Sequence, residues 1–134
     1  MNQTESKVRS YLIELARDKR NQTISYQKLS EECHLKLEMS NPNHREKMEE
    51  ILDSVSTYEH NANARPLLSA LVVLANPRGE SLNHGDGFYK LAAELRKSNW
   101  NTLKKDLFGI EEIKNCIDFW NNEIKYQQFK EVIY

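Results

Sequence analysis

Four carboxylates lie three and four residues apart in one short segment: Glu46, Glu49, Glu50 and Asp53. In a helix, this spacing places them on a single face. An acidic face favours a basic protein partner, because complementary charge speeds the encounter of two proteins. His60, Asn63 and Arg65 follow at the end of the same segment, and a guanidinium there can bind a partner carboxylate. These seven residues are the predicted protein-binding set.

A hydrolytic site is the enzymatic hypothesis that the residues permit, with Ser69 as nucleophile and His60 or His84 as base. Ser69 lies within the apolar run 66–75, and no glycine elbow follows to expose its hydroxyl. The four histidines are scattered without i, i+4 spacing, so no metal site is predicted. Nucleotide-binding and zinc-protease motifs are absent. We therefore expect no enzyme, no metal and no cofactor.

The loop 83–87 has two glycines ahead of a predicted helix. Exposed backbone N–H groups at such a helix start can hold an anion. Asp86 occupies the capping position and would repel a phosphate, which favours an ordinary capped turn. Both interpretations of this loop stay open on the sequence alone.

A nucleic-acid partner is the alternative function, through a mildly basic region with five cations: Arg65, Arg78, Lys90, Arg96 and Lys97. Three anions accompany them between residues 65 and 98. The predicted recognition helix lies in the segment 35–64, which has three cations against six anions. Because phosphate neutralisation supplies most non-specific affinity for DNA, this segment opposes DNA binding.

The composition predicts one domain over residues 1–134, with 19 basic and 20 acidic side chains and a net charge of −1. Residues 1–6 have no apolar signal region, and the longest apolar run is about half of a membrane span. Cys33 and Cys116 form no CxxC pair. We therefore expect a cytoplasmic protein with two free thiols and no membrane contact.

Apolar periodicity predicts a mostly helical chain. The expected helices are 5–20, 27–33, 43–61, 86–95 and 102–108, with a last one from about 111 that breaks near 127–128. The run 67–75 is predicted as a buried strand, followed by a turn at 76–79 and a weaker strand at 80–83. The fold class is therefore α+β, with a small two- or three-stranded antiparallel sheet of winged-helix character.

One stretch, Thr23-Ile24-Ser25-Tyr26-Gln27-Lys28-Leu29, resembles the T-V-S-Y-G-x-I/L-A opening in the DNA-binding half of alkyltransferase-like proteins. The resemblance covers roughly residues 20–95 and includes Leu71-Val72-Val73 before a glycine-bearing turn. It implies a winged-helix fold with the wing at about 71–83. The family's Pro-Cys-His-Arg acceptor is replaced by Pro66-Leu67-Leu68-Ser69, so alkyl transfer is not implied.

Taken together, these features predict a small, non-enzymatic binding protein that acts on a protein partner. An inhibitor, antitoxin or immunity-type role suits a small chain with an acidic face and without catalytic residues. The partner and the oligomeric state do not follow from the sequence.

Overall fold

The computed structural model describes residues 1–74, 84–105 and 107–132. In this part of the chain, seven α-helices, one 3₁₀ turn and two short strands follow in order. They are α1 (Gln3–Arg17), β1 (Ile24–Ser25), α2 (Tyr26–Glu32), α3 (Pro42–Asn61), a 3₁₀ helix (Leu68–Leu71), β2 (Val72–Val73), α4 (Asp86–Arg96), α5 (Trp100–Lys105), α6 (Phe108–Asn121) and α7 (Glu123–Phe129). The predicted mostly helical chain with a small sheet is confirmed.

Local side chains determine where the first helix begins. The Asn2 side chain accepts the Glu5 backbone N–H at 2.8 Å, and the Glu5 carboxylate accepts the Asn2 N–H at 3.0 Å. This reciprocal capping box places the cap at Asn2, so α1 begins at Gln3 and not at residue 5 as the sequence predicts. The buried face contains the predicted stripe of Val8, Leu12 and Leu15.

The two strands run parallel, with Ile24 opposite Val72 and Ser25 opposite Val73. The prediction of an antiparallel sheet is therefore wrong. Between β1 and β2 the chain passes through α2 and α3, and a long helical connection returns the second strand in the same direction as the first. The predicted turn at 76–79 and strand at 80–83 lie outside the described residues, and winged-helix character stays a prediction.

The predicted strand 67–75 is also wrong over most of its length. Residues Leu68–Leu71 form the 3₁₀ helix, and only Val72 and Val73 pair with β1. The 3₁₀ helix packs against α1, α3 and α6, and all four of its residues are buried. The apolar residues of this segment are therefore explained by burial among helices on several sides. A short apolar run does not distinguish a buried strand from a buried helical segment.

Helix boundaries near the C-terminus also differ from the prediction. Gly109 lies within α6, whereas the sequence placed it after the end of a preceding helix. The final break falls at Asn122, whose side chain caps α7, and not near residues 127–128. Trp120 of α6 is completely buried in the core. None of the described helices is long and apolar enough to cross a membrane.

Candidate functional site

The predicted acidic face exists, and α3 positions it. Asn41 caps this helix by accepting the Asn43 N–H at 2.9 Å, in place of the predicted Asn43–Glu46 capping box. The inner side of α3 buries the core residues Met48, Ile51, Leu52 and Val55. Because helix periodicity separates the two sets, the acidic positions lie on the opposite side: Glu46, Glu49 and Glu50 are exposed and Asp53 is half-buried. We call these four residues the acidic face.

The carboxylates of this face repel one another. Burial, followed by the neighbouring charges of Glu49, Glu94 and Glu50 in that order, raises the pKa of Asp53 to about 6. Within the described part of the chain, no ion pair involves any of the four acidic-face residues. Among the described residues, this negative surface is therefore not neutralised by ion pairs.

We expect Asp53→Asn to stabilise the protein by about 1 kcal/mol at neutral pH, a value reduced from the full pKa difference because solvent screens a half-buried charge. The folded pKa of about 6 lies above the ordinary 3.8, so ionisation costs stability as the pH rises through this window. The gain should be complete above about pH 6 and absent below about pH 4. Urea unfolding of both proteins above pH 6 and below pH 4 measures this gain. An equal gain at the two pH values would show that it does not come from ionisation of Asp53.

Glu49 is held beside the start of α4. A Cβ added to Gly87, in the first turn of α4, would lie 2.8 Å from the Glu49 Oε1. The cap residue of α4 is Gly85, which makes no side-chain capping bond, whereas the sequence predicted Asp86 or Gly87. A carboxylate near the positive end of a helix dipole is stabilised there. Helix α4 thus fixes one edge of the acidic face.

A mostly apolar groove of about 230 Å³ adjoins this face. Its lining comes from the start of α2, the loop before α3, α3 itself and the end of β2. The lining residues are Ser25, Tyr26, Gln27, Met39, Arg45, Glu49, Leu74 and Gly85. Leu74 is 47% exposed, although it is a large apolar side chain. We call this feature the Leu74 groove.

Tyr26 forms a neutral wall of the groove. The pKa of its phenol is raised to about 12, mainly by burial, while a backbone hydrogen bond with Gly85 acts to lower it. The negative charges of Glu49 and Asp53 raise this pKa as well. At neutral pH the groove therefore presents an uncharged aromatic ring beside a row of carboxylates.

A second cavity of about 630 Å³ shares Leu74 and Gly85 with the groove. Two further apolar residues in its lining, Leu107 and Ile110, are exposed. The Lys104 ammonium lies 3.1 Å from the Asp86 carboxylate on its polar side. The acidic face contributes no residue to this cavity.

Arg65 is not available to a partner, which corrects its place in both predicted binding sets. Its side chain is 5% exposed, and its Nε donates to the Glu59 carboxylate at 2.5 Å. His60 is half-buried and Asn63 is exposed, with a left-handed φ of 119°. The end of α3 is therefore a structural junction with Asn63 at its surface.

In the alternative nucleic-acid set, Arg65 is buried, whereas the three cations at the C-terminal half of α4 and its cap (Lys90, Arg96 and Lys97) remain exposed, Arg96 to 44%. Arg96 donates to the buried Glu112 at 3.1 Å and lies over the Phe108 ring. The Lys90 ammonium lies over the Trp100 ring, and Lys97 is exposed. Arg78 falls outside the described residues.

The side chains of the enzymatic hypothesis have separate structural partners. The Ser69 hydroxyl pairs with that of Ser56 at 2.6 Å, and both are buried. Burial lowers the pKa of His84, and its Nε2 donates to the Ala70 carbonyl at 2.6 Å. Burial also raises the pKa of Cys33 and Cys116, which disfavours thiolate chemistry. The described residues contain no group of three metal-ligating side chains.

Comparison of the chain with protein-family models, with curated proteins and with solved structures found no match in any of the three.

The sequence does not predict the groove residues Tyr26, Met39 and Leu74. The apolar run before Leu74 predicts a buried strand that includes it. Its position at the end of that run, next to Ala75-Asn76-Pro77, was the available signal for an exposed side chain. Nothing in the sequence indicated that Tyr26 and Met39 would meet it.

Proposed function

We propose that the protein is a non-enzymatic binding module that acts on a protein partner through the acidic face. The observation that carries the proposal is four carboxylates on one helix face without a paired cation among the described residues. The pKa of Asp53 is raised by burial and then by the nearby carboxylates, and a basic partner would relieve the electrostatic part of this cost to folding. An inhibitor, antitoxin or immunity-type role in the cytoplasm fits these properties.

The partner of this surface is a protein with a basic patch. Long-range attraction between opposite charges accelerates association, and it weakens as salt screens it. The phosphates of a nucleic acid would be repelled by the same carboxylates. Binding to nucleic acid is therefore the alternative result that the test distinguishes.

The test reverses the charge of three positions together: Glu49→Lys, Glu50→Lys and Asp53→Lys. The immobilised wild-type chain retains its partners from a cell extract. The amount of each partner retained should be at least about tenfold lower with this variant, because the three lysines repel a basic partner. Quantitative mass spectrometry of the eluates measures the loss. Circular dichroism confirms that the variant is folded.

A matched control applies the same change of charge to exposed acids elsewhere: Glu111→Lys, Asp118→Lys and Glu131→Lys. This control should retain the partners of the wild type. Equal loss in both variants would show that only net charge matters and would contradict the proposal. Salt-sensitive binding of the wild type to a labelled DNA duplex, measured by fluorescence anisotropy, would favour the alternative function.

A further inference from the structure

We infer that the Leu74 groove holds one large apolar side chain from a cationic segment of the protein partner. This inference rests on the proposed function and names the partner's recognition element. The groove lies directly beside the acidic face, since Glu49 belongs to both. A segment that carries lysine or arginine next to an apolar residue would therefore contact both features at once.

The shape and lining of the groove suit an apolar anchor. Its volume of about 230 Å³ accommodates a single large side chain, and its inner surface is mostly apolar. Tyr26 and Met39 are partly buried against the core, so they form firm walls. Interfaces commonly centre on such a pocket, with charged residues at the rim.

The charges around the groove select a cationic segment. Glu49 is at the rim, and Glu46, Glu50 and Asp53 continue the negative surface along α3. Arg45, which is also at the rim, is one cation against these four carboxylates, and it lies one helical turn from Glu49. Lysines on both sides of an apolar residue would find carboxylates within the Debye length of about 8 Å at physiological salt.

A second copy of this chain is a less suitable occupant. A two-fold interface brings the same patch of both copies together. Here that arrangement would oppose two acidic faces, and like charges across an interface cost binding energy. The groove therefore favours a different, basic protein over self-association.

The first experiment titrates ¹⁵N-labelled protein with two end-blocked peptides, Lys-Lys-Leu-Lys-Lys and Lys-Lys-Ser-Lys-Lys. We expect the leucine peptide to bind about tenfold more tightly, because the leucine side chain is transferred from water into the apolar groove. Amide shifts should centre on Tyr26, Met39 and Leu74. Equal affinities, or shifts confined to other surfaces, would overturn the inference.

Two matched variants locate the anchor. Leu74→Ser should remove the preference for the leucine peptide, whereas Ile110→Ser, an equivalent change in the second cavity, should keep it. Because Leu74 lines both cavities, loss of the preference in Ile110→Ser, whether or not Leu74→Ser also loses it, would overturn the inference. If Leu74→Ser does not fold, Met39→Gln tests the same groove from the opposite wall.

The charge-reversed variant separates this inference from the proposed function. Because Glu49 lines the groove, this variant is made with Glu46→Lys in place of Glu49→Lys. It should weaken both peptides and leave any leucine preference in place. If the wild type shows no leucine preference but loses partners on charge reversal, only the groove inference fails. A concentration-dependent dimer that Leu74→Ser abolishes, seen by analytical ultracentrifugation, would instead identify a second copy as the occupant and overturn the inference.

Discussion

Glu59→Gln is expected to lower the free energy of unfolding by about 3–5 kcal/mol, as breaking one side of a buried ion pair does. Glu59 is completely buried, and its two carboxylate oxygens accept from Arg9 Nε and Arg65 Nε at 2.5 Å each. Without its charge, two guanidinium groups stay buried with no counterion among the described residues. Urea unfolding followed by circular dichroism at neutral pH measures the loss.

The matched control is Glu123→Gln, which removes one carboxylate from an exposed pair. Glu123 lies 3.0 Å from the Arg17 guanidinium, and both side chains contact water. Pairs exposed to solvent contribute little to stability, so this variant should remain close to the wild type. A comparable decrease in the free energy of unfolding in both variants would contradict the claim that burial makes the loss of the Glu59 charge costly.

The same cluster explains why α3 is held so firmly beneath its acidic face. Arg9 of α1 also donates to the backbone carbonyls of Phe129 and Lys130, at 2.6 and 2.8 Å. One buried carboxylate thus joins α1, α3 and the C-terminal end of the described chain. Arg65 belongs to this buried cluster through its contact with Glu59.

Helical periodicity made much of this arrangement predictable. The apolar stripe of α3 is buried at Met48, Ile51, Leu52 and Val55, because repeated three- and four-residue spacing places these side chains on one face of a helix. The same regularity placed the acidic face on the outside. Local patterns of this kind depend on neighbours within two helical turns, which the sequence displays directly.

Features that depend on distant residues were not predictable. The direction of the sheet follows from the path of the chain through α2 and α3, and two residue pairs leave little pattern of their own. The Leu74 groove joins Tyr26, Met39 and Leu74, which lie far apart in the sequence. Likewise, the sequence alone does not show that Arg65 is buried, because its partner Glu59 is brought beside it by the fold.

Gly109→Ala is expected to destabilise the protein by about 2 kcal/mol, although alanine ordinarily favours a helix. A Cβ at this position would lie 2.3 Å from His84 Nδ1 and 2.6 Å from its Cε1. The imidazole cannot move away easily, since it donates to the Ala70 carbonyl and its centroid lies 4.7 Å from that of Phe88. Overpacking costs about 1–3 kcal/mol, more than the gain of about 1 kcal/mol in helix propensity.

The same substitution should change sign when the imidazole is absent. In a His84→Ala background the nearest remaining obstacle to the new Cβ is the Tyr89 hydroxyl at 3.0 Å, the end of a side chain that can shift. Gly109→Ala should then stabilise the protein by about 0.5–1 kcal/mol, because only the helix propensity remains. The four unfolding energies form a double-mutant cycle, whose coupling measures the clash between residues 84 and 109. Equal effects of Gly109→Ala in both backgrounds would show that His84 does not require a glycine beside it.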